Sequence, residues 1–175
     1  MLLDLSRFRA GDEHLDRRYE PAAFSKVGDD FRVTVPIAFV ADVRKDASKV
    51  RLVGRVQTIL ELDCSRCLEP FAVPIDAPFD VLFLPAEAIG HEGEHEVNDD
   101  DLNVSFYKGD EIDLSDVMRE QFYLALPMKP LCRPDCQGLC AVCGANRNRE
   151  TCSCEHVWVD PRLEALRKLT KTENR

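Results

Sequence analysis

VRLVGRVQTILELDCSRCLEPFAVPIDAPFDVLF, residues 50–83, reads as two strands joined by a turn that carries two thiols. In the first half Val50, Leu52, Val56, Leu60 and Leu62 share one parity, while Arg51, Arg55, Gln57 and Glu61 share the other. In the second half Phe71, Val73, Ile75, Phe79, Val81 and Phe83 fall in phase. Apolar residues at a period of two mark a half-buried strand. Pro74 and Pro78 lie on the outward parity, and proline has no N–H to give a ladder, so the second strand is expected at an edge or bent. Cys64, Ser65, Arg66 and Cys67 then form the hairpin tip.

Outward from this hairpin the patterning is uneven. Residues 31–39 alternate, with Phe31, Val33, Val35, Ile37 and Phe39 on one face, and read as a further strand. Residues 1–30 are weakly patterned. Leu3, Leu5 and Phe8 can pack there, but only an entry strand or short turns are expected. Residues 87–101 are acidic and almost without apolar groups, the composition of a solvated loop, and His91 and His95 read as loop histidines. Leu102, Val104 and Phe106 predict a short strand, and Lys108, Gly109 and Asp110 a turn. Asp113 is placed to cap a helix in which Leu114, Val117, Met118, Phe122 and Ala125 recur at three- and four-residue spacing and which Pro127 ends. Trp158 is read as an anchor in the core. Asp160 and Pro161 have the form of a helix start; Leu163, Leu166 and Leu169 would face inward, and Arg162, Arg167, Lys168 and Lys171 would form a basic surface. The expected class is α+β: a mainly antiparallel sheet or partly closed barrel, one packing helix, and a C-terminal Cys-rich zinc-knuckle segment ending in a helix. Residues 1–126 would form the β-rich core with its CxxC hairpin. Residues 127–175 would form the zinc-binding segment and last helix, docked on that core as one domain.

The eight cysteines all stand in tight pairs: Cys64 with Cys67, Cys132 with Cys136, Cys140 with Cys143, and Cys152 with Cys154. Such spacing lets two sulfurs turn to one point, as a tetrahedral ion bound at about 2.3 Å per sulfur requires. Eight thiolates match two closed sites, so two zinc ions are expected, with iron–sulfur binding a weaker alternative. Cys140, Cys143, Cys152 and Cys154 are the favoured grouping for one site, leaving Cys64, Cys67, Cys132 and Cys136 for the other. A crossed arrangement, or a site wholly within residues 132–143, remains open. Gly144 directly follows a Cys-x2-Cys and Gly138 precedes one; glycine there permits a positive φ and aims N–H groups at thiolates. Arg66, Arg133, Arg147 and Arg149 lie beside the thiols. They serve either to offset thiolate charge or to contact phosphate.

Charge and hydropathy narrow the function classes. The first 16 residues are interrupted by charge and do not read as a signal peptide. No stretch approaches the roughly 18 apolar residues of a membrane span. A cytoplasmic protein with reduced thiols is therefore expected, which favours metal over disulfides. Residues 1–126 hold 14 Lys/Arg against 26 Asp/Glu, whereas residues 127–175 hold 9 against 6, within a net charge of −9. A chain so acidic is a poor non-specific polyanion binder, and any contact with nucleic acid should be local or made through a partner protein.

CSRCLEPF at 64–71, EIDL at 111–114, LALPMKPLC at 124–132, CQGLCAVCGANRN at 136–148, CSC at 152–154 and DPRLEALRKL at 160–169 follow one another in an order that resembles the YceD family, the large ribosomal RNA subunit accumulation proteins. The resemblance spans about residues 50–170; Ala141 departs from it, where proline is expected between the knuckle cysteines. It implies a bacterial or organellar protein that supports accumulation or processing of large-subunit (23S) rRNA and ribosome assembly, without catalysis. It implies large-subunit rRNA, or a ribosomal or rRNA-processing protein, as partner; no small-molecule substrate is evident. Two other classes stay in view. A metal-dependent hydrolase or nuclease needs an open coordination position, and no histidine or carboxylate stands at ligand spacing with the thiols. A thiol redox or metal-sensing switch needs only that oxidation displace the ion.

Overall fold

The computed structural model describes residues 1–8, 11–24, 30–86 and 103–154. The 50–83 hairpin is its spine. β5 (Lys49–Asp63) and β6 (Pro70–Pro85) pair antiparallel without interruption from Val50↔Phe83 to Asp63↔Pro70. The inward parity is as read: Val50, Leu52, Val56, Leu60 and Leu62 are buried on β5, and Ile75, Phe79 and Phe83 on β6. β4 (Ile37–Asp46) lies antiparallel on the other side of β5, and β2 (Gly11–Tyr19) antiparallel beyond β4. β7 (Val104–Tyr107) joins β6 in parallel at Leu82↔Val104 to Pro85↔Tyr107. The strand order is thus β2-β4-β5-β6-β7, with β3 (Arg32–Val33) also on β5. Of the two forms expected, the mainly antiparallel open sheet is the one found: among the described residues no pairing joins β2 to β7. Among the described residues no strand pairs with the outer edge of β6 over residues 70–81, where Pro74 and Pro78 stand, in keeping with the N–H that proline lacks.

Several local readings differ from expectation, each for a physical reason. The strand read over 31–39 is broken. β3 ends at Val33 and β4 starts at Ile37, because Pro36 between them cannot donate to β5. Buried parity nevertheless continues from Phe31 through Ile37 and Phe39 to Ala41 and Val43. β2 runs for nine residues through a stretch where only an entry strand or short turns were expected. Only Leu15 of its nine residues is buried, so it lacks alternation, and it is held instead by its ladder to β4 and by cross-strand pairs, Arg44 Nε to Asp12 Oδ1 at 2.8 Å and His14 Nδ1 to Asp42 Oδ1 at 2.7 Å. In β7 the phase is opposite to that read: Tyr107 is buried and donates to the Ser48 carbonyl at 2.9 Å, while Phe106 is half exposed. Leu102, the histidines at 91 and 95, and Trp158 lie outside the described residues.

β1 (Leu2–Asp4) runs into a 3-10 turn (Leu5–Arg7) and pairs with β8 (Glu111–Asp113), burying Leu3 and Leu5. α1 (Pro21–Phe24) is a single turn that delivers Phe24 to the core. α2 (Leu114–Ala125) is capped as expected, with the Asp113 carboxylate accepting from the Ser115 N–H at 2.9 Å. Leu114, Val117, Met118 and Phe122 are buried; Ala125, expected inward, is exposed in the last turn. Phe122 meets Phe24 and Phe31 edge-on at 5.3 and 5.7 Å between ring centroids, while Phe39 stacks on Phe79 at 5.4 Å. No helix among the described residues is long and apolar enough to cross a membrane.

Candidate metal centres

Parity along β5 continues past its last residue: Cys64 shares the inward phase of Leu60 and Leu62 and is wholly buried. Cys67 follows within the hairpin tip at 3% exposure. The segment after α2 returns beneath this tip. The Ser65 N–H donates to the Pro130 carbonyl at 2.9 Å, the Leu139 N–H to the Arg66 carbonyl at 3.1 Å, and Arg66 Nη1 to the Cys136 carbonyl at 2.8 Å. These bonds bring Cys132 and Cys136 against Cys64 and Cys67. Cys64 Sγ lies 3.8 Å from Cys136 Sγ, and Cys67 Sγ 3.7 Å from Cys132 Sγ. Phe71 and Leu131 close the apolar side of this first centre. Gly138 passes close over the tip with φ +71°, and a Cβ there would stand 2.9 Å from the Arg66 carbonyl oxygen.

The second thiol set comes from one stretch of chain: Cys140, Cys143, Cys152 and Cys154, with all ligand atoms within 4.8 Å of one another, as in the first set. Both Cys-x2-Cys turns have the same backbone. In the first, the Cys64 N–H donates to the Glu69 carbonyl at 2.9 Å and the Leu68 N–H to the Cys64 carbonyl at 2.9 Å. In the second, the Cys140 N–H donates to the Ala145 carbonyl at 2.8 Å and the Gly144 N–H to the Cys140 carbonyl at 2.8 Å. The residue after the second cysteine has a left-handed backbone in both, Leu68 at φ +58° and Gly144 at φ +75°. Alternating parity thus carries the chain to the first turn, and the turn itself aims both sulfurs.

The donor sets fit a tetrahedral thiophilic ion. Four sulfurs at about 2.3 Å from a tetrahedral centre stand about 3.8 Å apart, whereas a disulfide needs about 2.05 Å. The observed 3.7 and 3.8 Å match the first figure, and all eight cysteines are free. Protonation tells the same story. In the first centre burial disfavours the Cys64 thiolate, but N–H groups of Cys132, Arg66 and Cys67 outweigh it and bring the thiol down to about 6. Cys136 is likewise lowered against burial, by the Asn148 side chain and the Gly138 N–H. Burial, together with hydrogen bonds to Cys67, Cys136 and Cys64, pushes Cys132 up to about 12. In the second centre the N–H groups of Cys143 and Val142 bring Cys140 down to about 6, while the hydrogen bond to Cys143, with burial, pushes Cys154 up to about 12. Four thiolates this close cannot all ionise alone; a bound divalent cation would remove the conflict, with every sulfur as a ligand.

The family profile described as "Large ribosomal RNA subunit accumulation protein YceD" matches residues 52–170, a span that takes in both thiol sets. The chain belongs to the YceD family. It is 31% identical over 144 residues to "Large ribosomal RNA subunit accumulation protein YCED homolog 1, chloroplastic" of Zea mays, covering 69% of this chain and 49% of that one. It is 30% identical over 146 residues to the protein of the same description in Arabidopsis thaliana, covering 71% and 46%. To the uncharacterized protein YlbN of Bacillus subtilis (strain 168) it is 25% identical over 161 residues, covering 91% and 88%. The chain spans about half the length of the two chloroplast proteins. No solved structure matches it.

In this YceD chain the arginines beside the thiols are mostly engaged. Arg66 holds the Cys136 carbonyl, Arg133 donates to Asn148 Oδ1 at 2.7 Å and lies 3.5 Å from Asp135, and Arg149 pairs with Glu69 at 2.7 Å. Arg147 is exposed, and its backbone N–H donates to the Gly138 carbonyl at 3.0 Å. Arg162, Arg167, Lys168 and Lys171 lie outside the described residues. Sequence reasoning missed Asn148. Its Nδ2 donates to Cys136 Sγ at 3.3 Å, while its Oδ1 accepts from Arg133 and from the Gln137 N–H at 2.8 Å. An asparagine twelve residues from its thiol carries no local signal of that role.

Proposed function

We propose that the chain is a non-enzymatic zinc protein of the cytoplasm that supports large-subunit rRNA accumulation and ribosome assembly, with one zinc ion in each thiol set. The observation that carries the metal half is the sulfur spacing of the first centre, 3.7 and 3.8 Å, which equals the edge of a zinc–thiolate tetrahedron. Four thiolates per ion is the donor set of a closed structural site, in contrast to the three ligands and open position of catalytic zinc. In this reading the first ion ties residues 1–126 to residues 127–175 at the hairpin tip, so the two fold as one unit. The ribosomal half is supported by family membership and by the printed description of the chloroplast relatives.

Two bound ions with eight thiolates make the already acidic chain more anionic, so its contact with rRNA or with a ribosomal or processing protein is local. Arg66, Arg133, Arg147 and Arg149 around the centres, with Arg162, Arg167, Lys168 and Lys171, are the residues proposed for it. The test has two arms. Elemental mass spectrometry of the purified chain should give two zinc per molecule; none would remove the metal half. Depletion in the source organism should lower large-subunit rRNA relative to small-subunit rRNA in sucrose gradients; an unchanged ratio would remove the ribosomal half.

A further inference from the structure

Solvent reaches the two thiol sets very differently. In the first, Cys64, Cys67 and Cys136 are 0%, 3% and 2% exposed and Cys132 is partly covered. In the second, Cys140 is buried, Cys152 and Cys154 are partly covered, and Cys143 is exposed. Outer support differs too. Asn148 Nδ2 donates to Cys136 in the first set, whereas among the described residues no side-chain N–H reaches a sulfur of the second. Such partners are worth about 10–100-fold in metal affinity. The first set also joins two distant stretches of chain through a web of backbone bonds, while the second closes only residues 140–154 on themselves.

From this asymmetry we propose that Cys143 is a modification site for peroxides, at which oxidation discharges the second centre while the first keeps its ion. The inference rests on the zinc reading above. The exposed Cys143 thiolate attacks one peroxide oxygen: an S–O bond forms, the O–O bond breaks, and hydroxide leaves. A second thiolate of the set, Cys154, then attacks the sulfenic sulfur: the S–S bond forms, the S–O bond breaks, and a second hydroxide leaves. Two thiolates give up two electrons, peroxide becomes two hydroxides that buffer acid protonates to water, and zinc, left with two ligands, departs. Restoration needs a dithiol reductant, which gains the disulfide. The hairpin tip and its clamp are untouched, so the fold persists while the stretch around residues 140–154 loosens.

The experiment uses the zinc-loaded full chain with hydrogen peroxide and a chromophoric zinc chelator, followed by differential alkylation and peptide mass spectrometry. One zinc per chain should leave about tenfold or more faster than the other. The new disulfide should fall within the second set, Cys64, Cys67, Cys132 and Cys136 should stay reduced, and circular dichroism should hold. Dithiothreitol with added zinc should restore two ions. Cys143→Ser, which keeps the first centre, should hold about one ion and release none in the fast phase. Simultaneous loss of both ions, or earlier loss from the first set, overturns the inference and leaves the zinc reading standing. A chain that carries no zinc before oxidation overturns both.

Discussion

Gly138→Ala and Gly144→Ala separate two effects that usually arrive together. Both glycines have a left-handed backbone, at φ +71° and +75°. An L-residue there costs about 1 kcal/mol. They differ in what surrounds them: a Cβ at Gly144 meets nothing within 4 Å, whereas one at Gly138 stands 2.9 Å from the Arg66 carbonyl oxygen and 3.3 Å from Arg66 Cβ. That oxygen accepts the Leu139 N–H, so relieving the clash lengthens the bond that seats the return segment on the hairpin tip. Its loss adds about 1 kcal/mol, and the strained approach about as much again. Gly138→Ala should thus cost about 2–3 kcal/mol and Gly144→Ala about 1. In urea titrations of the zinc-loaded chain, with a slope of about 2 kcal/mol per molar, the midpoint should fall by about 1–1.5 M for the first and about 0.5 M for the second. Equal falls would refute the reasoning, because they would mean that the approach of residue 138 to Arg66 contributes nothing.

Leu68 holds φ +58° while 65% exposed, so Leu68→Gly should relieve strain and lose little packing, raising stability by up to about 1 kcal/mol in the same titration. Asn148→Ala removes the donor to Cys136 together with two bonds that hold residues 133–137, and chelator competition should show one site weakened about 10–100-fold and the other unchanged. Asp113, partly buried yet held by Ser115 and the terminal ammonium, has its carboxyl lowered from 3.8 to about 2. A depressed carboxyl stabilises the fold above its unfolded value and loses that contribution as pH falls through the folded one. The difference in stability between the parent chain and Asp113→Ala should therefore be about 1 kcal/mol at neutral pH, discounted for the partly exposed carboxylate, and should shrink between pH 4 and pH 2.

Parts of the fold were readable wherever one face meets the core and the other meets water. The inward residues of β5 and β6, the Asp113 cap and the buried stripe of α2 all follow from periods of 2 and 3.6. β2 was unreadable because it is an edge strand with a single buried residue; its place is set by pairing to β4. The one signal it offered, Asp12 and His14 opposite Arg44 and Asp42, becomes visible only once the register is known. Phe106 was assigned the wrong face for a related reason: β7 is too short for its alternation to name a face, and its parallel register on β6 decides instead.

By itself the sequence determined what local chemistry can determine: eight thiols in tight pairs, a hairpin with two of them at its tip, and glycines beside the thiols that permit a positive φ. Which pairs meet was a different matter. Four pairs combine in several ways, and spacing favoured one without excluding the rest. The tertiary structure decided it, because the bonds from Ser65 to Pro130 and from Leu139 to Arg66 lay residues 132–136 beneath a tip more than sixty positions earlier. It also decided that one set is sealed and the other open to solvent. Burial belongs to the packed chain as a whole, and no window of neighbouring residues contains it.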